Sequence, residues 1–333
     1  MNSTATPPAP PAHRGSLFLE DATVIRQQAH ASEQYVLRLH APKNAAAATP
    51  GSFVHLQCDP SLPMRRPLSI MRADPAAGWI DILYKVVGQG LDLLAQRRAG
   101  DTISTLGPIG RGFEPHPARP RTLLIGGGVG IPPMIFLAEN LLAASIGSGG
   151  TTPVQSSDPL MARPRNTSSK GSPGNSGPAV AWKPLVLMGS EIPFPFQSRP
   201  STLLLDGIPA GAIACMPLLE DWGVPSRLAS GADFPGCFPG YVTDLAAHWL
   251  AALDATTLSE VEIFACGPTP MLKAVAALAK RFALPCQVSL EEFMACAVGG
   301  CAGCTVKVQT PDGPAMKRVC VDGPVFRAED IWP

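Results

Sequence analysis

Four cysteines near the carboxyl end restrict the possible folds of this chain more than any other feature. Cys296, Cys301 and Cys304 are followed by Cys320, which gives the spacing C-x4-C-x2-C and then a fourth cysteine after fifteen intervening residues. This is the spacing of a plant-type [2Fe–2S] cluster, in which cysteine thiolates hold two irons. The sequence therefore predicts such a cluster, with these four residues as its metal ligands.

The residues between the cysteines are small, which suits the same interpretation. Ala297, Gly299, Gly300, Ala302 and Gly303 allow the backbone to wrap around an inorganic core and to direct N–H groups at its sulfurs. A structural zinc site also takes four thiolates, but zinc modules usually carry paired C-x2-C motifs, and the cluster has one such pair. Buried thiols without a ligand are the third reading.

Composition excludes several classes of function. The 26 basic and 26 acidic side chains form no basic cluster, so nothing favours binding to nucleic acid or to an anionic membrane. The apolar run 122–138 contains glycines and a Pro-Pro pair that would break a lipid-facing helix, so no membrane span is expected. Nine unevenly spaced cysteines and no secretory signal indicate a reducing compartment, and we expect a cytoplasmic protein.

The chain divides by pattern into a multidomain β and α/β protein. Short apolar runs separated by turns predict an antiparallel β-barrel, and alternating strands and helices then predict a parallel sheet. A stretch rich in Ser, Gly and Pro interrupts the sheet region as an insert. The expected order is a flexible lead-in, a barrel domain, an α/β domain with its insert, and a small cluster domain, at residues 1–15, 16–118, 119–285 (insert 145–182) and 286–333.

An iron–sulfur cluster transfers one electron at a time, whereas a hydride carries two. A chain that binds both a cluster and a hydride donor therefore needs a group that exchanges electrons singly and in pairs. Flavin is the usual converter. In the predicted barrel strand "RRPLSIM", the Arg66 guanidinium is suited to a phosphate and the Ser69 hydroxyl to the edge of a flavin ring. Pro67 and Leu68 complete this candidate FAD segment, although Arg-x-Pro also occurs at ordinary strand ends.

A second candidate FAD segment follows about fifteen residues later. In "LYKVVGQGL" a strand runs into glycines whose exposed N–H groups are suited to a pyrophosphate. The candidate binding residues here are Leu83, Tyr84, Lys85, Gly88, Gly90 and Leu91.

The stretch "LLIGGGVGIPPM" is the candidate nicotinamide nucleotide segment. It follows a strand and opens a helix, so backbone amides near Gly127, Gly128 and Gly130 can face a pyrophosphate at the helix amino end. Its spacing differs from the Rossmann G-x-G-x-x-G. The next strand ends at Glu191, whose carboxylate would accept ribose hydroxyls and repel a 2′-phosphate, which favours NAD, while the nearby Arg199 leaves NADP open.

These segments together resemble the ferredoxin reductase superfamily. Arg66 to Ser69 resemble its R-x-[YFP]-[ST]-like flavin signature, and the glycine turn resembles its G-x-G-T except that Leu91 replaces Thr, which leaves only a backbone contact there. "GGGVGIPP" resembles its G-G-G-x-G-x-x-P, and "CGPTPM" its C-G-P-x-x-M. The resemblance implies that Cys266, Gly267 and Pro268 lie beside the nicotinamide, with Cys266 as the catalytic residue.

The carboxyl-terminal motifs resemble a narrower family, the electron-transfer subunits of the two-subunit, NAD-linked dihydroorotate dehydrogenase. Its pattern M-x-C-x4-C-x2-C, a hairpin and V-C-x-D-G-P-V-F matches "MACAVGGCAGC" and "VCVDGPVF". The resemblance implies that electrons pass from a separate FMN-containing catalytic subunit through the [2Fe–2S] cluster and FAD to NAD+, in pyrimidine biosynthesis. It also implies a heterotetramer with two copies of each subunit.

Two other functions remain open at this point. A subunit of an NAD(P)H:ferredoxin or sulfide-linked oxidoreductase has the same domain order but a different, iron–sulfur-containing partner. A zinc-stabilised nucleotide-binding scaffold with no redox role belongs to another class, and it would lack the visible absorption of flavin and iron–sulfur.

Overall fold

The computed structural model describes residues 16–146 and 180–333. Its first part is a closed barrel of six antiparallel strands in the order β1-β2-β5-β4-β3-β6, which confirms the predicted barrel. The strands are β1 (Phe18–His30), β2 (Gln34–His40), β3 (Phe53–Leu56), β4 (Arg66–Asp74), β5 (Trp79–Lys85) and β6 (Thr102–Ile109).

Alternating side chains close the barrel. Leu37 lies opposite Ile82 and Leu39 opposite Ile80 in the antiparallel pairing of β2 with β5, and all four side chains are fully buried in the interior. Because successive residues of a strand point to opposite faces, the intervening residues face outward, where they can contact the rest of the protein.

The second part is a seven-stranded sheet in the order β12-β11-β8-β7-β13-β14-β17. Its pairs are parallel, as predicted, except that the edge strand β17 runs antiparallel to β14. The strands are β7 (Arg121–Gly127), β8 (Leu185–Gly189), β11 (Ser226–Ser230), β12 (Phe238–Pro239), β13 (Val261–Cys266), β14 (Cys286–Ser289) and β17 (Val325–Arg327).

Two small antiparallel ribbons complete the strands. One pairs β9 (Arg199–Pro200) with β10 (Ala214–Cys215), and the other pairs β15 (Thr305–Thr310) with β16 (Gly313–Arg318). The second ribbon connects Cys304, directly before β15, to Cys320, two positions after β16.

Helices connect and cover these sheets. The predicted helices of the α/β region are present, with prolines in the first turn of α3 and α7, where a missing backbone N–H costs little. The helices are α1 (Pro42–Ala47), α2 (Gly88–Ala95), α3 (Ile131–Ile146), α4 (Pro217–Asp221), α5 (Val242–Ala251), α6 (Ala255–Ser259), α7 (Thr269–Phe282), α8 (Val319–Asp322) and α9 (Ala328–Ile331).

One helical stretch in the described residues, Gly128–Ser145, is long and apolar enough to cross a membrane, but 61% of it is buried inside the protein. It includes α3, which packs between the seven-stranded sheet and strand β4 of the barrel. Burial on both sides accounts for its apolar composition, as in the core helix of a globular domain.

The predicted domain boundaries stay predictions. The seven-stranded sheet includes β14 and β17, which lie beyond residue 285 in the sequence. The predicted cluster domain, 286–333, therefore contributes two strands to the sheet of the α/β region. The lead-in 1–15 and residues 147–179 of the predicted insert lie outside the described residues.

A buried ion pair joins the barrel to the α/β region. Arg72 of β4 donates to both carboxylate oxygens of Glu139 in α3, at 3.2 and 3.0 Å, and the Arg72 side chain is fully buried. The Arg72 guanidinium also lies 5.5 Å from the ring centre of Trp79 and 5.2 Å from that of Trp222. A charge pair this deeply buried holds the two parts in one relative position, because parting them would break a pair of hydrogen bonds between buried charges.

Candidate redox site

The fold places the four predicted ligands in two contacting pairs, and no group of three or more His, Cys, Asp or Glu side chains within residues 16–146 and 180–333 is arranged to hold a single metal ion. The Sγ atoms of Cys304 and Cys320 lie 3.3 Å apart, although sixteen positions separate them in the chain. The backbone N–H of Cys301 donates to the Sγ of Cys296 at 3.4 Å. Cys296 of one pair also acts electrostatically on Cys320 of the other. An arrangement in pairs suits a [2Fe–2S] cluster, in which two thiolates bind each iron.

The two pairs differ in burial. Cys304 and Cys320 are each 3% exposed and pack in one apolar cluster with Phe53 and Ile109 of the barrel. Cys301 is exposed and Cys296 is half-buried. We call Cys304 and Cys320 the inner pair and Cys296 and Cys301 the outer pair. The inner pair faces the barrel, and the outer pair includes the thiol that reaches the surface.

The backbone around the outer pair fits a cluster chemically. Ala297 and Ala302 have φ angles of 55° and 54°, a conformation that directs successive N–H groups to one side of the chain. The N–H of Gly303 donates to the Sγ of Cys301 at 3.4 Å. Burial opposes ionisation of Cys296, but backbone N–H donors lower the pKa of its thiol to about 7. Donors directed at thiolates are what an anionic iron–sulfur centre requires.

The Arg66 guanidinium lies against the amino end of α2, which fits a flavin phosphate. A Cβ added to Gly90 would lie 3.0 Å from the Nε of Arg66, so the guanidinium approaches closely where glycine has no side chain. The cation and the free N–H groups of the first helical turn thus face the same space. Leu91 is 9% exposed and packs in the barrel core, so any phosphate contact at this position would be through the backbone.

Pro67 and Ser69 share the outer face of β4, while Leu68 packs toward the barrel interior. Pro67 lies opposite His55 and Ser69 opposite Phe53, so this face continues toward the inner cysteine pair. A ring system placed on this face would lie between the barrel and the cluster. The expected flavin segment therefore adjoins the cluster segment.

The other predicted flavin residues lie along β5. Leu83 is buried, and Lys85 is half-buried at the end of the strand. Tyr84 points into the barrel, where its ring stacks on Tyr35 and its hydroxyl donates to Gln27 at 2.9 Å. Only the main chain of Tyr84 is thus left for a cofactor. Flavin contacts of these residues stay predictions.

Two predicted nicotinamide segments contact each other at the carboxyl ends of β7 and β13. A Cβ on Gly130 would lie 2.2 Å from the carbonyl oxygen of Cys266, and a Cβ on Gly127 would lie 3.2 Å from Cδ of Pro268. Gly128, with φ +53°, begins the turn Gly128–Gly130 between β7 and α3. Strand β5 of the barrel contacts this turn. The flavin and nicotinamide segments therefore meet.

Cys266 is fully buried in this region. Burial raises the pKa of its thiol, which is therefore protonated at neutral pH. Gly267, with φ +158°, allows the chain to turn out of the strand beside Gly127. The position suits contact with a nicotinamide ring, and the catalytic role of Cys266 stays a prediction.

Glu191 is exposed just after β8, at the same edge of the sheet. Arg199 is engaged elsewhere, because its Nη2 donates to the carboxylate of Asp221 at 2.5 Å. An arginine paired in this way is less available to a 2′-phosphate. Glu191 thus remains the side chain expected to meet the adenine ribose.

The sequence reasoning missed two residues beside Cys266. Ser289 lies opposite Cys266 in the parallel pairing of β13 with β14 and is buried beside it. Glu291 follows and is exposed, and its negative charge adds to burial in raising the pKa of the Cys266 thiol. The signal available was "SLEEF" at the end of a predicted strand, directly before the cysteine loop.

Comparisons of sequence identify relatives over nearly the whole chain. Residues 291–332 match the iron–sulfur cluster binding domain of dihydroorotate dehydrogenase B. The dihydroorotate dehydrogenase B (NAD(+)) electron transfer subunit of Bacillus caldolyticus is 32% identical over 319 residues, which cover 94% of this chain and 98% of that one. The subunit of the same name from Geobacillus thermodenitrificans is 33% identical over 321 residues, with the same coverage.

Solved structures resemble the fold at lower identity. An NADH-dependent reduced ferredoxin-NADP oxidoreductase structure, described in a study of electron bifurcation, has a TM-score of 0.64 at 23% identity and covers 94% of this chain and 90% of its own. The ferredoxin reductase of carbazole 1,9a-dioxygenase has a TM-score of 0.51 at 20% identity and covers 80% and 65%. These likenesses support the barrel and sheet architecture.

Proposed function

The chain belongs to the family of dihydroorotate dehydrogenase B (NAD(+)) electron transfer subunits, and we propose that it transfers electrons to NAD+ from a separate catalytic subunit, which oxidises dihydroorotate. The observation that carries this proposal is the cysteine cluster. Its inner pair packs against the barrel face that bears Pro67 and Ser69, while its outer pair lies toward the surface. A chain built in this way connects an external electron donor to a bound flavin.

Each segment of this chain has a distinct task in the proposal. Arg66 and the amino end of α2 would hold the FAD pyrophosphate, and the turn at Gly127–Gly130 would hold that of NAD. Glu191 would accept the adenine ribose hydroxyls, which favours NAD over NADP. When bound, FAD would exchange single electrons with the cluster and a hydride with the nicotinamide. The buried thiol of Cys266 would pack beside the nicotinamide and exclude water.

The partner in this proposal is an FMN-containing catalytic subunit, with two copies of each subunit in the assembly. The surface of the cysteine loop suits a close approach. A Cβ on Gly300 would meet no described atom within 4 Å, and its φ is not left-handed, so neither packing nor backbone conformation within the described chain requires glycine there. Apart from Val298, which is 49% exposed, the residues between the cysteines of this loop are glycine or alanine, which lets another redox centre come near the outer pair.

Gly300→Leu is expected to weaken binding to the catalytic subunit by about tenfold or more, because the added side chain would stand in the contact surface. The visible spectrum of the flavin and cluster and the NADH-driven reduction of ferricyanide should stay unchanged. Binding is measured by titration of the catalytic subunit from the same organism in an interferometry or calorimetry assay.

Gly211→Leu is the matched control, since Gly211 also has no described atom within 4 Å of its Cβ position and no left-handed φ. It is exposed before β10, in the α/β region. Equal binding by Gly300→Leu and the unchanged chain would place the partner elsewhere.

The central test is anaerobic co-expression with that catalytic subunit. We expect the two chains to co-purify, with iron, acid-labile sulfide and FAD bound, and to reduce NAD+ when dihydroorotate is added. Purified chain without iron and sulfide would overturn the redox role. Co-purification with a multi-cluster protein and no dihydroorotate-dependent NADH formation would overturn the partner.

A further inference from the structure

Arg318 crosses between the two halves of the cysteine cluster. It ends strand β16, two positions before Cys320 of the inner pair. Its Nη1 donates to the carbonyl oxygen of Gly299 at 3.1 Å, and Gly299 lies between the outer-pair residues Cys296 and Cys301. One side chain thus ties the loop of the outer pair to the segment that carries Cys320.

The guanidinium is itself held in place. Asp322 accepts from the backbone N–H of Arg318 at 2.8 Å, and its carboxylate lies 3.6 Å from the Arg318 Nε. The Arg318 side chain is 41% exposed, so its remaining surface keeps it hydrated. With Asp322 on the Nε side and Gly299 on the Nη1 side, the planar guanidinium has a defined orientation.

The loop fits closely against the Cys320 segment at this point. A Cβ on Gly299 would lie 2.5 Å from Cγ2 of Val321 and 3.3 Å from the Arg318 Nη1, and the φ of Gly299 is +80°. Only glycine allows both the close contact and the backbone conformation. The hydrogen bond from Arg318 is therefore part of a tightly packed contact between the loop of the outer pair and the Cys320 segment.

The charge of Arg318 also bears on the cluster. A [2Fe–2S] centre with four thiolates becomes more negative when it is reduced, and its potential depends on nearby charges and hydrogen bonds. A cation held at the loop favours the reduced form, although solvent exposure and Asp322 weaken the effect.

We propose that Arg318 is a positioning residue for the cluster, which fixes the outer pair relative to Cys320 and raises the reduction potential. This rests on the proposed function, because it assumes that the four cysteines hold a [2Fe–2S] cluster. The proposal concerns two separable properties. The hydrogen bond to Gly299 governs retention of the cluster, and the positive charge governs its potential.

Arg318→Met removes both properties, and Arg318→Lys keeps the charge while losing the planar fork. At a fixed potential, Arg318→Met is expected to lower the ratio of reduced to oxidised cluster by about threefold to tenfold, where tenfold corresponds to about 59 mV for a one-electron couple. Its cluster should also be lost to EDTA about tenfold faster. Arg318→Lys should keep the ratio within about twofold but still lose the cluster faster.

Lys317→Met is the matched control, because it removes one positive charge from the adjacent position of β16, where the side chain points to the other face of the ribbon. It should change neither measurement by more than about twofold. The measurements are a redox titration followed by electron paramagnetic resonance, and the decay of cluster absorbance under EDTA, both on the full chain.

An unchanged ratio and an unchanged decay in Arg318→Met would overturn the proposal, as would an equal fall in Lys317→Met. If Arg318→Met takes up no cluster, Arg318→Lys provides the test. A ratio of reduced to oxidised cluster within about twofold of that of the unchanged chain, with faster loss of cluster to EDTA, supports the proposal. Loss of the cluster at the same rate as in the unchanged chain overturns it. Absence of iron from the unchanged chain would instead contradict the proposed function itself.

Discussion

Cys304→Ser is expected to lower dihydroorotate-driven NAD+ reduction by at least about 100-fold, while NADH oxidation with ferricyanide stays within about twofold. Cys304 belongs to the inner pair, which is buried against Phe53 and Ile109 of the barrel. A serine hydroxyl is a poor iron ligand, so the electron path from the partner to the flavin would be lost. The route from NADH to the dye needs only the flavin and nicotinamide segments.

Both rates are measured on the complex reconstituted with the catalytic subunit, alongside iron analysis. Cys237→Ser is the control, since Cys237 is half-buried and lies outside the four-cysteine set. It should leave iron content and both rates unchanged. Simultaneous loss of both rates in Cys304→Ser would indicate that the cluster segment is required for folding of the whole chain, which argues against separable redox segments.

Glu139→Gln is expected to lower the free energy of unfolding by about 3–5 kcal/mol. The Arg72 side chain is fully buried and that of Glu139 is 11% exposed, so the substitution would remove the carboxylate that pairs with a buried guanidinium between the barrel and the α/β region. Because this pair sets the relative position of the two parts, NADH oxidation should fall as well. Chemical denaturation followed by circular dichroism measures the stability.

Two comparisons make this prediction specific. The Glu260→Gln variant breaks the Arg121–Glu260 pair, whose side chains are 31% and 42% exposed, and should cost only about 0–1 kcal/mol. The double variant Arg72→Met, Glu139→Leu replaces the buried charges by apolar groups and should recover most of the lost stability. A loss below 1 kcal/mol in Glu139→Gln would show that water reaches the pair.

Much of the candidate site could be predicted from the sequence because it lies in short local motifs. The cysteine spacing, "RRPLSIM", "GGGVGIPP" and "CGPTPM" each hold their residues within a few positions, and local spacing largely determines what such a turn can bind. The barrel and the parallel sheet followed from apolar alternation and from the order of strands and helices.

Contacts between distant segments were not predictable in the same way. Arg72 and Glu139 are 67 positions apart, and Arg318 reaches Gly299 across 19. The direction of a side chain depends on register and closure of the sheet, so Tyr84 of the predicted flavin strand points into the barrel. Ser289 and Glu291 meet Cys266 only because β14 pairs with β13.

The sequence by itself predicts the chemistry of this protein, namely the four thiolate ligands, the flavin and nicotinamide turns, and the order of the domains that carry them, since each depends on residue type and local spacing. Only the tertiary structure decided that one cysteine pair is buried against the barrel while Cys301 of the other is exposed. That difference arises from packing between the barrel, the sheet and the carboxyl-terminal ribbon, because burial is a property of long-range contacts and no local motif encodes it.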